Sequence, residues 1–210
     1  RPFQSDMYEV VRWNGTSWDS LGTSNRFISA LIVFDDGTGA ALYALGDFSM
    51  IAGVSARGLA KWNSVSWTAA TPPDTRVYTA KATIVTDLGD GSAIYTTAKV
   101  FRNGQDYVGV NKWDGSQWTF VGAPDQLPPP ATPRYVNTIA AFDDGRGMAL
   151  YISGVFQSFS GVPARNIVRF DGLAFEALGV GVSSPLGDVD QLHAFRDARV
   201  RVDQVRQFAD

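Results

Sequence analysis

The sequence contains no cysteine and a single histidine, His193. The first absence excludes disulfides, zinc–thiolate centres, iron–sulfur clusters and cysteine nucleophiles. The second leaves no multi-histidine metal site and no paired imidazoles. Positive charge is not in excess either: 18 Lys and Arg stand against 21 Asp and Glu, a net charge of −3. A nucleic-acid partner, which needs a basic face, is therefore not expected. No apolar run approaches the roughly 18–20 residues of a membrane-spanning helix, so membrane insertion is not expected. A P-loop, a dinucleotide fingerprint, a Gly-x-Ser-x-Gly elbow and a His-Glu-x-x-His pair are all missing. Without them the chain reads as non-enzymatic, with no cofactor and no metal.

What is present is repetition. Arg12-Trp13-Asn14-Gly15-Thr16-Ser17-Trp18 recurs as Lys61-Trp62-Asn63-Ser64-Val65-Ser66-Trp67 and as Lys112-Trp113-Asp114-Gly115-Ser116-Gln117-Trp118. A drifted fourth copy is Arg169-Phe170-Asp171-Gly172-Leu173-Ala174-Phe175, and in every copy the two aromatics stand five apart. A second element, Phe34-Asp35-Asp36-Gly37-Thr38-Gly39-Ala40-Ala41-Leu42-Tyr43, matches Phe142–Tyr151 and, more loosely, Thr86–Tyr95. A third follows it: Gly46-Asp47-Phe48, Lys99-Val100-Phe101 and Gly154-Val155-Phe156. The period is roughly 50 residues.

Each unit reads as four short strands, which in the first copy are Ile28–Phe34, Ala40–Phe48, Gly58–Trp62 and a strand around Trp67. The Asp-Gly and Asn-Gly steps suit tight turns in which both central residues take φ > 0. The 21 Gly and ten Pro, spread along the chain, fit many short strands. The expected fold is all-β: a four-bladed β-propeller of four-stranded antiparallel blades forming a single domain over 1–210. Its blades would fall at about 26–70, 76–122 and 134–180, with the fourth built from 187–210 plus 1–22. Pairing the N- and C-terminal strands would close the ring and remove exposed sheet edges. Residues 189–208 also permit a helix, since Val202, Val205 and Phe208 are three apart. The strand reading keeps the register of the repeat and is the one expected.

The pattern Gly-x-Phe, Ala-Arg-x-(Ile/Leu)-(Ala/Val)-(Lys/Arg)-Trp-(Asn/Asp)-Gly-x-x-Trp and Phe-Asp-Asp-Gly-x-Gly-x-Ala-Leu-Tyr resembles propeller repeats of large secreted or surface bacterial proteins. It is also similar to repeats of the fungal cortical polarity marker and, more distantly, to kelch-like propellers. Ala56-Arg57-Gly58-Leu59-Ala60-Lys61-Trp62 and Ala164-Arg165-Asn166-Ile167-Val168-Arg169-Phe170 carry the likeness best. The resemblance implies an extracytoplasmic location and a non-catalytic binding or scaffolding role, because those families share no catalytic residues.

Individual residues add less. The six Trp all lie in the repeat motif, where aromatics at fixed spacing pack between blades. Sugar stacking on one of them is the alternative, which makes a carbohydrate-binding lectin the rival function. A hydrolase or lyase on a propeller scaffold ranks third. The pairs Asp35/Asp36 and Asp143/Asp144 are expected to cap hairpin turns, with calcium binding and then catalysis as the alternatives, since two adjacent carboxylates alone cannot supply the six to eight oxygens calcium takes. His193 is expected to be a surface or channel-lining residue. Ligands of propellers meet loops at one end of the central channel. The candidate binding residues are therefore Pro128, Pro129 and Pro130 in the longest connection, with Tyr107 and Phe159 in the longer loops. A stiff polyproline segment presents apolar faces to a partner at low ordering cost. Another protein chain is the expected partner, with carbohydrate as the alternative.

Overall fold

The computed structural model describes residues 7–126, 134–182 and Leu192. The expected strands of 187–210, His193 and the Pro128–Pro130 segment lie outside the described residues. Everything regular among the described residues is β-strand or turn.

The chain opens with a hairpin, β1 (Tyr8–Trp13) and β2 (Trp18–Ser24). A first sheet follows, of β3 (Ile28–Asp35), β4 (Ala40–Gly46), β7 (Leu59–Trp62) and β8 (Trp67–Ala69); between β4 and β7 a miniature hairpin, β5 (Met50–Ile51) and β6 (Val54–Ser55), joins the N-terminal hairpin instead, in the order β1-β2-β5-β6. The second comprises β9 (Arg76–Tyr78), β10 (Thr83–Asp87), β11 (Ser92–Arg102), β12 (Gln105–Trp113) and β13 (Trp118–Gly122). The third comprises β14 (Tyr135–Asp143), β15 (Met148–Val155), the miniature hairpin β16 (Ser158–Phe159) and β17 (Val162–Pro163), β18 (Ile167–Phe170) and β19 (Phe175–Ala177). Three antiparallel meanders result, β3-β4-β7-β8, β10-β11-β12-β13 and β14-β15-β18-β19.

The repeat motif builds the outer hairpin of each sheet. Its two aromatics are directly opposed across the strands: Trp13 with Trp18, Trp62 with Trp67, Trp113 with Trp118, and Phe170 with Phe175. Ring centroids lie 5.3, 5.4, 5.4 and 4.6 Å apart, in tilted contact rather than flat stacks. The turn between them differs from the tight form expected, because Asn14 and its counterparts do not take positive φ. Instead the side-chain oxygen of the Asn or Asp accepts two backbone N–H bonds across a four-residue loop. Asn14 accepts from Thr16 and Ser17, Asn63 from Val65 and Ser66, Asp114 from Ser116 and Gln117, and Asp171 from Leu173 and Ala174. This is the Asx-turn logic, in which the short side chain replaces a backbone acceptor. Turns with two consecutive positive φ values occur elsewhere, at Ala52-Gly53, Asn103-Gly104 and Ser160-Gly161.

The sheets pack face to face. β4, β11 and β15 are buried along nearly their whole length, as strands covered on both faces must be. Three apolar clusters lie at the three successive junctions. Val10 and Leu21 of the N-terminal hairpin meet Phe48, Ile51 and Trp67. Phe34, Leu45 and Leu59 of the first sheet meet Ile94, Trp113 and Trp118 of the second. Tyr95 and Val110 of the second meet Ile139, Leu150 and Phe170 of the third. The innermost strands adjoin as well, with β10 beside both β3 and β14.

The second sheet departs from the other two at one position. In the first and third, Gly46 and Gly154 sit opposite irregular pairing in the neighbouring strand, between Ile28 and Ala30 and between Val136 and Thr138. A Cβ on Gly46 would meet Phe27 O at 2.4 Å, and one on Gly154 would meet Tyr135 O at 2.1 Å. The equivalent residue in the second sheet is Ala98, three after Tyr95 as Gly46 and Gly154 are three after Tyr43 and Tyr151, and it lies opposite Gly109 of β12. The next residue, Lys99, pairs with Tyr78 of β9, and β10 begins only at Thr83. Between the two, the chain bends around Thr97, which accepts from Lys81 N at 2.9 Å through its carbonyl and from Ala82 N at 3.0 Å through its hydroxyl.

Candidate functional site

The paired carboxylates are occupied within their own sheets. The first of each pair caps its turn, Asp35 accepting from Gly37 and Gly39 at 2.9 and 3.0 Å and Asp143 from Gly145 and Gly147 at 2.9 and 3.1 Å. The second faces a Tyr–cation pair that recurs in all three sheets: Tyr43 opposite Lys61, Tyr95 opposite Lys112, and Tyr151 opposite Arg169. Asp36 accepts from Tyr43 OH and Lys61 Nζ, both at 2.7 Å, and from Thr38 Oγ1 at 2.6 Å. Burial opposes ionisation of Asp36, but the bonds from Lys61, Thr38 and Tyr43 outweigh it and hold the carboxyl well below its usual range. Asp144 accepts from Arg146, at 2.7 and 2.9 Å, and from Tyr151 OH at 2.9 Å. The Arg146 guanidinium is the main reason its carboxyl titrates at about 2. In the second sheet Asp90 pairs with Lys112. Burial, then the nearby carboxylates, raises the phenols of Tyr43 and Tyr95. Asp36 and Asp144 are thus moved down and the Tyr43 and Tyr95 phenols up, away from the near-neutral range in which a general acid or base works.

Of the residues singled out from sequence, Phe159 is fully buried, its ring between Phe156 and Phe175 at centroid distances of 5.4 and 5.0 Å. The loop it was assigned to is the β16–β17 hairpin, which docks on the end of the second sheet. Ser160 N donates to Ala123 O at 2.9 Å, and Gly161 N donates to the Asp125 carboxylate. Tyr107 is half-buried on β12, paired with Phe120 at 5.6 Å and covered by Arg102 at 4.7 Å. The rings of Tyr107 and Phe159 thus engage different neighbours and form no common surface.

An open concavity lies between the second and third sheets, where Ala98 stands at the repeat-glycine position and Lys99 follows it. It encloses about 490 Å³, in the usual range for small-ligand sites of about 300–1,000 Å³. Ala98, Val108, Pro124 and Val136 give it apolar walls, and Lys81, Lys99 and Arg134 supply three cations. Thr79, also lining it, is a β-branched residue at φ +31°, a strained conformation. One wall is pinned by Gln126, whose amide donates to Arg134 O at 2.9 Å and accepts from Arg134 N at 3.1 Å. Sequence reasoning missed this cleft. Its one visible signal was Ala98, three after Tyr95, where the other two units carry glycine three after their Tyr. Among the described residues no group of three or more His, Asp or Glu side chains could hold a metal ion. No protein-family model, no curated protein and no solved structure matches this chain.

Proposed function

We propose that the chain is a four-bladed β-propeller serving as a non-catalytic binding or scaffold module of an extracytoplasmic assembly, with another protein chain as its partner. One observation carries this reading. The motif aromatics of each sheet pack on the element before it, while those of the N-terminal hairpin have no such neighbour among the described residues. Trp67 donates its indole N–H to Leu21 O of that hairpin at 2.7 Å, and Trp118 lies in the cluster shared with the first sheet. Phe175 packs in the cluster shared with the second sheet. Trp13 and Trp18 are 51% and 65% exposed. A ring in which the C-terminal strands complete this hairpin would set Trp13 and Trp18 on the third sheet, as the other pairs are set. The occupied carboxylates support a role in binding rather than catalysis, since each is committed to a turn or an ion pair.

The ring is tested by deleting residues 187–210 and by Trp18→Ala. Closure expects the deletion to lower the urea midpoint and to raise acrylamide quenching of tryptophan. It expects Trp18→Ala to cost more than about 2 kcal/mol, as truncating a packed aromatic does. An unchanged midpoint on deletion, or a Trp18→Ala cost within about 0.5 kcal/mol, means an open ring. The scaffold role is tested by cross-linking native material and locating the cross-linked peptides. Links from this chain to a second protein are expected, and a monomer with intrachain links only refutes the role.

Carbohydrate binding is the second reading, and the exposed Trp13–Trp18 pair favours it. Glycan-array binding lost on Trp18→Ala with an unchanged unfolding midpoint would establish it against the closed ring.

A further inference from the structure

We propose that the cleft between the second and third sheets is a binding site for a small organic anion, an apolar body carrying one carboxylate or sulfonate. The inference rests on the binding-module reading and adds to it a second, small-molecule site.

Charge makes the first argument. The chain is acidic overall, with a net charge of −3, yet the cleft is lined by Lys81, Lys99 and Arg134 and by no Asp or Glu among the described residues. The one acid in its wall is turned away: between Pro124 and Gln126, Asp125 points its carboxylate at Gly161 N, at 3.0 and 3.2 Å. Lys99 is neutralised by Asp106 at 2.8 Å. Two cations therefore stay uncompensated. The Arg134 guanidinium donates to a neutral acceptor, Asp125 O, at 3.0 Å. The ammonium of Lys81 has no hydrogen-bond or ion-pair partner among the described residues. Its backbone N–H, by contrast, is fixed on Thr97 O. An anion entering here meets a field of one sign beside low-dielectric walls, which strengthens attraction relative to open water.

The walls make the second argument. Ala98, Val108, Pro124 and Val136 offer apolar contact, and Val108 is 62% exposed. Burying an apolar ligand body against them supplies affinity without direction, while the cations fix which end faces inward. A bare phosphate would use the charge and leave the walls wet, and a neutral hydrocarbon would do the reverse.

The third argument is placement. The repeat closes this space in the other two sheets, where Gly46 and Gly154 let the first strand approach. The second sheet has Ala98 in place of that glycine, and its chain bends away at 79–82. The Gln126–Arg134 bonds then hold the site in shape without a ligand, which lowers the ordering cost of binding.

The test uses 8-anilinonaphthalene-1-sulfonate as probe on the full chain, with the neutral N-phenyl-1-naphthylamine and inorganic phosphate as comparisons. The expected result is one saturable site, with amide shift changes centred on Thr97, Val108, Gly109 and Ala123. Binding of the sulfonate should be at least about tenfold tighter than that of the neutral amine. Lys81→Glu should weaken the sulfonate by about tenfold or more and Lys81→Arg should restore it, while thermal unfolding of both variants matches the parent. Equal affinity for the neutral amine, an unaffected Lys81→Glu variant, shift changes elsewhere, or no saturable site would each overturn the proposal. If the probe fails while cross-links to a partner chain persist, the small-anion site falls and the scaffold reading stands.

Discussion

The second sheet and its two neighbours were built from the same repeat, and they differ in what one residue lets the backbone do. In the first and third sheets a glycine allows close approach of the innermost strand. The chain then folds a miniature hairpin over the sheet before it, β5–β6 on β2 and β16–β17 on the end of the second sheet. In the second, the methyl of Ala98 stands at the glycine position, and β11 and β12 run on together as one long hairpin to Asn103-Gly104. The difference teaches that the regular sheets clasp their neighbours, whereas the irregular one leaves space. Interfaces come from the repeat; the cleft comes from its exception.

Truncation of the motif aromatics should separate the sheets most. Trp118 is 2% exposed between two sheets, so Trp118→Ala is expected to cost about 3–5 kcal/mol in urea unfolding. Phe175, at the same place in the third sheet, is only half-buried, and Phe175→Ala should cost clearly less. Equal costs would show that the third sheet's outer hairpin is as firmly covered as the second's.

Next comes the glycine itself. Gly154→Ala places a methyl 2.1 Å from Tyr135 O, a backbone atom that cannot rotate away, and about 2–3 kcal/mol of destabilisation is expected. Ala98→Gly in the second sheet removes one methyl and should cost about 1 kcal/mol. If Ala98→Gly proved the more damaging, the account of why the second sheet differs would fail.

Acid should act on the first and third sheets through Asp36 and Asp144. Both carboxyls are depressed in the folded state, so the unfolded chain binds protons first as pH falls. Their contribution is whole above the unfolded value of about 4 and is lost on the way down through the folded one, about 2 for Asp144. Urea midpoints measured between pH 5 and pH 2 should therefore fall, and Asp144→Asn should flatten the decline. In the second sheet the Asp90–Lys112 pair is exposed at its acidic end, and Asp90→Asn should move stability by no more than about 0.5 kcal/mol at any pH.

Much of this architecture could be read from the chain, because strand boundaries there are written in local chemistry. Trp62 and Trp67 mark two strand ends and Asn63 the turn between them, so the spacing alone placed β7 and β8. The same holds for Asp35, whose turn-capping role follows from the glycines after it. The Tyr43–Lys61–Asp36 cluster was less legible, since Tyr43 and Lys61 are 18 positions apart and meet only through sheet register. Yet Tyr95 with Lys112 and Tyr151 with Arg169 repeat the pairing, and the alternation of Tyr and cation carried the signal. The cleft was least legible. Its walls come from five separate stretches, and what opens it is a glycine that is absent, which a search for shared motifs passes over. Phe159 was misplaced for a related reason: a loop between repeats reads as surface until the preceding sheet is there to cover it.

The smallest effect concerns a turn where the first sheet is the exception. Gly15, Gly115 and Gly172 hold φ of +105°, +101° and +100°, and the first sheet puts Ser64 at the equivalent place with φ +77°. A side chain at positive φ is strained by contact of its Cβ with the backbone, and glycine relieves that contact. Against this stands the greater freedom glycine gives the unfolded chain, which is why the net gain is modest. Ser64→Gly should raise stability by about 0.5–1 kcal/mol, read as a shift in urea midpoint with unchanged slope. The reverse change in the second sheet, Gly115→Ser, should lose at least as much, because a Cβ there would also meet Asp36 Cβ of the first sheet at 2.8 Å. A gain in one direction without the matching loss in the other would mean that the turn tolerates either residue and that the recurring glycine serves the contact between sheets instead.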